Sequence, residues 1–253
     1  MGRSKKEKQS ERAERKEAKR ESRGLRRSAT HQIRAYFGED FVRVYQAYSD
    51  SIAEPALEAQ RFVSPWSEGR MTWIKPSFCW MGYRSGWASK DHGQSRVLAV
   101  DLHRDGFDRL LRSAVLVKKQ NGGRADVVVQ WDPERELGGE GKHAHTHELP
   151  AVRSLQMGLR GAATREYAAE GGLVAQIEDV TGLFLEVGEL LKAGEIEAAA
   201  KLLPEERIYP LEEGLPICAG LPSSSGTQGA SAERGETAVV EVVPDGSPAA
   251  VDR

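Results

Sequence analysis

The stretch 70–87, RMTWIKPSFCWMGYRSGW, constrains this chain more than any other part of it. Trp73, Trp80 and Trp87 stand seven residues apart, and Trp66 lies seven before the first. Four of the five tryptophans therefore fall in one short segment. Lys75-Pro76 divides it, because proline disfavours α geometry at the preceding residue and suits the first turn of a helix. The pattern predicts a short strand over 71–74, a helix over 76–84 and a break at Gly86. On that helix Ser77, Trp80, Met81 and Arg84 share a face, since residues three or four apart meet. Arg70, Lys75 and Arg84 are threaded between the aromatics. Two readings fit. The segment is an aromatic core, or it is a pocket wall whose rings contact a ligand ring while its cations hold an anion.

Charge separates the chain into unlike parts. Residues 1–27 carry twelve Lys/Arg against five Glu, a balance of +7, so the remainder carries −9 of the formal net charge of −2. The tail, 1–28, is too polar to bury anything and is expected to be disordered. An acidic body argues against a broad nucleic-acid-binding surface on the domain itself. Attraction to RNA or DNA would come from 1–27 or from a local pocket. No run approaches the roughly 18 apolar residues of a membrane span, and the start lacks the apolar region of a secretory signal. With Cys79 and Cys218 as the only cysteines, a cytoplasmic, reducing setting is expected.

One α+β domain is expected over 29–215. Alternating β-branched and aromatic residues predict a hairpin, 33–37 and 41–47, about Gly38-Glu39-Asp40. A helix should follow Ser49/Asp50/Ser51, with Pro55 in its first turn or so. Strands are predicted over 95–102, 115–118 and 125–131, with a turn at 121–123, and a helix over 105–114. Residues 132–142 read as a polar loop, and 152–159 as a strand or a helix start. Apolar residues at helical spacing predict one helix over 173–191 and another over 196–203. The Ser/Gly/Ala-rich segment 216–253 is expected to be disordered, with TAVVEVV its one candidate strand.

Several constellations were weighed as sites. Arg34, Arg70, Lys75, Arg84 and Arg153 lie among apolar neighbours, where a charge needs a partner. Asp101, Asp132 or Asp179 would supply one internally, and a nucleotide pyrophosphate would do so externally. His143, His145 and His147 form HxHxH, which in a strand brings three imidazoles to one face. The surrounding Gly, Glu and Lys favour an exposed loop, so no metal is expected. Asp132 and Glu134, in WDPERE, are a carboxylate pair of low specificity. Cys79, between Phe78 and Trp80, reads as a small buried residue. There is no phosphate-binding Walker loop and no GxSxG.

The blocks HQIRAYFGEDFVRVYQAY, SIAEPALEAQRFV, RMTWIKPSFCWMGYRSGW, GQSRVLAVDL, RSLQMGLRG, IEDVTGL and LLPEERIYPL resemble, in order over 32–213, the family called domain of unknown function 4291. That name implies no activity. A more distant resemblance is to the ADP-ribosyltransferase fold, a mixed, split β-sheet flanked by helices that holds NAD in a cleft. It rests on VYQAY, a following helix and a Ser-containing strand-to-helix turn. It implies NAD-dependent transfer of ADP-ribose to a nucleic acid or protein. By that resemblance Arg34 or Gln46 fixes NAD, and Ser77 or Tyr83 supports the nicotinamide end. Gln156 falls where a Glu is expected to stabilise positive charge as nicotinamide leaves. The implied catalytic set is Gln46, Ser77 and Gln156, and the implied NAD-binding set is Arg34, Trp73, Lys75, Trp80, Tyr83 and Arg84. The alternative is a non-catalytic nucleotide- or RNA-binding module using the same cluster and the basic tail.

Overall fold

The computed structural model describes Lys16 and residues 30–117, 125–138, 145–211, 215 and 217. Apart from Lys16 and Ile217, the expected disordered tails lie outside the described residues, as do the turn at 121–123, TAVVEVV, His143 and Cys218. The elements in order are β1 (Thr30–His31), β2 (Arg34–Ala35), β3 (Phe41–Tyr48), α1 (Asp50–Ala59), β4 (Thr72–Ile74) and α2 (Phe78–Ser85). Next come β5 (Arg96–His103), α3 (Arg104–Ser113), β6 (Val115–Leu116), β7 (Val127–Leu137) and β8 (Thr146–Leu159). The series closes with α4 (Ala162–Ala168), β9 (Val174–Asp179), α5 (Thr181–Lys192), α6 (Ile196–Lys201) and β10 (Arg207–Ile208). No described helix is long and apolar enough to cross a membrane.

The architecture is α+β, with separate sheets. One runs β1-β8-β7-β6 and takes β4 onto β8. It is mixed, since β1/β8 and β6/β7 are parallel while β7/β8 and β4/β8 are antiparallel. A second, antiparallel sheet has the order β3-β5-β9. Its central strand β5 carries the unbroken run Val97–Leu102, buried throughout, as a strand covered on both faces requires. The two sheets meet where β3 runs beside β4. Tyr45 N donates to Lys75 O at 2.7 Å, just past the end of β4.

Gly86 ends the helix of the central stretch as expected, but the helix opens at Phe78, so Pro76 stands before it and not in its first turn. Ser77 is the N-cap of α2, its hydroxyl accepting from Trp80 N at 3.3 Å. Gly86, at φ +59°, ends the helix in the left-handed region that glycine enters without strain. Trp87 and Ala88 continue there at φ +57° and +63°. This turn folds the Trp87 indole back beneath α2, where a Cβ on Gly82 would come within 2.6 Å of the ring. Trp87 is thus core, packed with Phe78 and Phe184.

Four further expectations are corrected. The segment 173–191 is not one helix: Val174–Asp179 is the edge strand β9, and only Thr181–Lys192 is helical. Apolar spacing there satisfied a 3.6-residue period, but the open edge of β5 offered a full ladder. The Gln60 side chain brackets the outer edge through Ile177 O and Ile177 N, at 3.0 and 2.9 Å. Asp179 then accepts from Thr181 N at 2.9 Å and starts α5. Residues 132–137 are not loop but the second half of β7, paired with β8 across a register shift between Pro133 and Glu134. The partner steps from Arg153 to Leu149 there, so the extra residues, 150–152, belong to β8, opposite a proline that has no N–H for the ladder. The hairpin arm 33–37 contributes only a bridge, Phe37 to Val42, while β2 pairs with β10. Lastly, α1 begins at Asp50, so Pro55 sits in its second turn.

Candidate functional site

A cleft of about 980 Å³ opens beside the point where the two sheets meet. The end of β3, the start of β4, α2, β7, β8 and the loop 65–71 all line it. Its cations are Arg70, Lys75, Arg84 and Arg135, against the carboxylates Asp132 and Glu148. On a chain that is −9 beyond residue 27, this is a local positive excess. Tyr48, Trp66, Trp73, Trp80 and Tyr83 supply aromatic surface, and Gln46, Gln94, Gln130 and Gln156 supply amides.

Lys75 is the least conventional of these groups. It is only 7% exposed, so its head is not solvated as a cleft lysine's would be. Nζ stands 5.1 Å from the centroid of the Trp80 ring. Among the described residues no carboxylate lies within salt-bridge distance of it. Burial, and then repulsion from Arg84, push its pKa down to about 7, with Asp132 opposing. Lys75 is thus a buried amine that the structure leaves largely able to lose its charge.

Asp132 is held from two sides. Gln130 Nε2 donates to Oδ1 at 2.8 Å and Gln156 Nε2 donates to Oδ2 at 2.7 Å. Gln130 faces Gln156 directly across β7 and β8, and Asp132 lies two residues along on the same face. The bulge then changes the alternation. Glu134, which would share that face in a regular strand, turns into the core at 1% exposure. Arg135 takes the cleft instead, with its guanidinium 3.5 Å from the Tyr83 centroid and 2.9 Å from Glu148 Oε1. At the far end Arg84 Nη1 donates to Gln94 Oε1 at 2.9 Å.

Of the nine residues singled out from the sequence, Gln46, Trp73, Lys75, Trp80, Tyr83, Arg84 and Gln156 line this cleft. Arg34 and Ser77 do not. Arg34, on β2, stands 3.6 Å from Glu136. Ser77 is 2% exposed and donates to Glu134 Oε1 at 2.8 Å, so it faces the core. Gln46 lines the cleft but its amide is already engaged. Nε2 lies within hydrogen-bond distance of Tyr48 Oη, Thr72 Oγ1 and Trp73 O, and Oε1 accepts from Tyr167 Oη. It braces the wall rather than reaching a ligand.

Sequence reasoning overlooked Tyr48, Gln94, Gln130, Arg135 and Glu148. Gln130 was recoverable from its i,i+2 relation to Asp132; Arg135 was not, because only the bulge turns it inward. Half-buried cations elsewhere carry carboxylate partners: Arg43 meets Asp101 at 2.7 Å and Arg96 meets Asp179. Cys79 is buried, and burial raises its thiol pKa far from the reactive range. No group of three potential metal ligands occurs among the described residues, which include His145 and His147.

Fold and cleft together define an α+β protein with a cationic, aromatic-lined pocket at the junction of two sheets. The family model for domain of unknown function (DUF4291) matches residues 32–209, and the chain belongs to that family. No curated protein matches it.

Proposed function

We propose that the cleft binds NAD and that the protein transfers ADP-ribose from it to a nucleic acid or protein acceptor. One observation carries the reading: four cations and five aromatic side chains converge with a doubly held carboxylate, Asp132, at the seam between two sheets. A dinucleotide diphosphate matches Arg70 and Arg84, and its two flat bases match Trp73, Trp80 and Tyr83. Positive charge develops on the ribose as nicotinamide leaves, and a nearby carboxylate stabilises it. Gln156 brings no charge for that task, but it holds Asp132 in place to perform it. The neutral amine of Lys75 takes the acceptor's proton as the new bond to the ribose carbon forms. On this reading the carboxylate comes from Asp132 on β7, the strand paired with that of Gln156.

Nicotinamide release from NAD, measured with and without RNA, DNA and protein acceptors, tests this. Wild type is expected to release it, and Asp132→Asn to do so about a hundredfold more slowly with its melting temperature nearly unchanged. Tight nucleotide binding with no release in any acceptor series would replace transfer by a binding module.

A further inference from the structure

We infer that Lys75 is a covalent site for phosphorylated aldehydes, condensing with their carbonyl carbon to form an imine. The inference deepens the proposed function, since it rests on the same cleft as an anion site. Its grounds are geometric. The Lys75 amine is buried in the cleft wall, and no described carboxylate forms an ion pair with it, in contrast to Arg43 and Arg96. The backbone is fixed on both sides, by Pro76 after it and by the Tyr45 N–H bond to its carbonyl. The Trp80 ring lies against Nζ and Arg84 lines the same cleft, so an aldehyde and an attached phosphate each meet a suitable partner. A lysine held in low-polarity surroundings beside a second cation is an activated nucleophile.

The step balances without any further reagent. The lone pair of neutral Nζ attacks the carbonyl carbon, and one of the two amine protons passes by way of Asp132 to the carbonyl oxygen, giving a carbinolamine. Its remaining N–H proton passes by the same carboxylate to the hydroxyl, which leaves as water, and Asp132 ends ionised as it began. One C=N bond replaces one C=O bond, and nothing is oxidised or reduced. The ligand class is a sugar or ring aldehyde carrying phosphate, to which the open-chain form of ADP-ribose belongs.

The depressed lysine pKa supports selectivity at neutral pH. A group titrating near 7 is about half unprotonated there, whereas an ordinary exposed lysine is so only to roughly one part in a few thousand. The probe is pyridoxal 5′-phosphate, added to the full chain at pH 7 and fixed by borohydride reduction before peptide mass spectrometry. Lys75 is expected to carry at least about ten times the label of the exposed Lys90, Lys192 or Lys201. Phosphate-free pyridoxal should label Lys75 at least about tenfold less. Labelling of exposed lysines with Lys75 untouched overturns the inference, and equal labelling by pyridoxal overturns its phosphate requirement. Excess ADP-ribose should protect Lys75. Selective labelling without that protection would uphold the reactive amine and count against the NAD reading. The map is made on wild-type protein, so no variant has to fold for the result to count.

Discussion

Lys75 and Ser77 are two residues apart, yet one lines the cleft and the other faces the core behind it. On one side Lys75 lies in a cleft with Trp80, Arg84 and the braced Asp132. On the other, Ser77 donates to Glu134, whose second oxygen is buried without a hydrogen-bond partner among the described residues. Glu206 joins this rear group, accepting from Phe78 N at 2.6 Å. Although the residue keeps some surface, burial of its carboxyl, with repulsion from Glu134, pushes its pKa up to about 8. The cleft therefore holds a cation inclined to lose its proton, and the core behind it holds an acid inclined to keep one. Both are destabilising in their charged forms. Only the first faces a cavity large enough for a ligand, and that asymmetry separates a candidate site from a structural cluster.

The largest expected effect comes from removing the cleft charge. Lys75 titrates near 7 in the folded chain against 10.5 for the free side chain, so the unfolded state binds more protons between those values. Wild-type stability should rise with pH through that window, and the penalty is complete below pH 7. Lys75→Met keeps the packing and removes the titration. Its advantage over wild type should be about 4 kcal/mol at pH 6 and about half that at pH 9. A pH-independent difference in denaturant melts would contradict the burial of an unpaired ammonium.

The rear acid should behave with the opposite sign. Glu206 keeps its proton up to about pH 8 against 4.5 for the free side chain, so its penalty grows as pH rises between those values. Glu206→Gln retains an acceptor for Phe78 N. Thermal melts should show it more stable than wild type by about 2 kcal/mol at pH 8, discounted for partial exposure, and unchanged at pH 4. A loss of stability at pH 8 would mean that the carboxylate is needed charged.

Ser77→Ala carries the smallest effect of the three. It removes the α2 cap and, among the described residues, the only hydroxyl donated to buried Glu134, at a cost of about 1 kcal/mol. Ligand affinity in the cleft should not change. An affinity loss larger than threefold, measured by calorimetry, would return Ser77 to the site.

The same pair of residues explains what the sequence could and could not reveal. Pro76 and Gly86 are backbone instructions, so the strand, the helix and its end were legible, and with them the convergence of Trp73, Lys75, Trp80, Tyr83 and Arg84. The side taken by Ser77 was not, because a cap position lies outside the helical face to which its spacing assigned it. Arg135 was hidden for a related reason. The register breaks between Pro133 and Glu134, where residues 150–152 of β8 are left without partners on β7, and period-two reasoning has no means of seeing it. Glu206 reaches α2 from 128 residues away, a contact that no local pattern encodes. The helix expected over 173–191 failed because an available sheet edge outweighed local spacing, as tertiary context routinely does.

The central claim is that anions bind at the cleft and not at the other cations of the chain. Two arginines make the cleanest contrast: Arg84 lines the cleft, whereas Arg34 pairs with Glu136 outside it. Titration calorimetry with NAD, ADP-ribose and ATP should be run on wild type, Arg84→Ala and Arg34→Ala. The account predicts binding by wild type, a loss of about tenfold to a hundredfold for Arg84→Ala, equivalent to about 1.5–3 kcal/mol, and no change for Arg34→Ala. No binding by wild type at millimolar ligand, or equal losses in both variants, would contradict it.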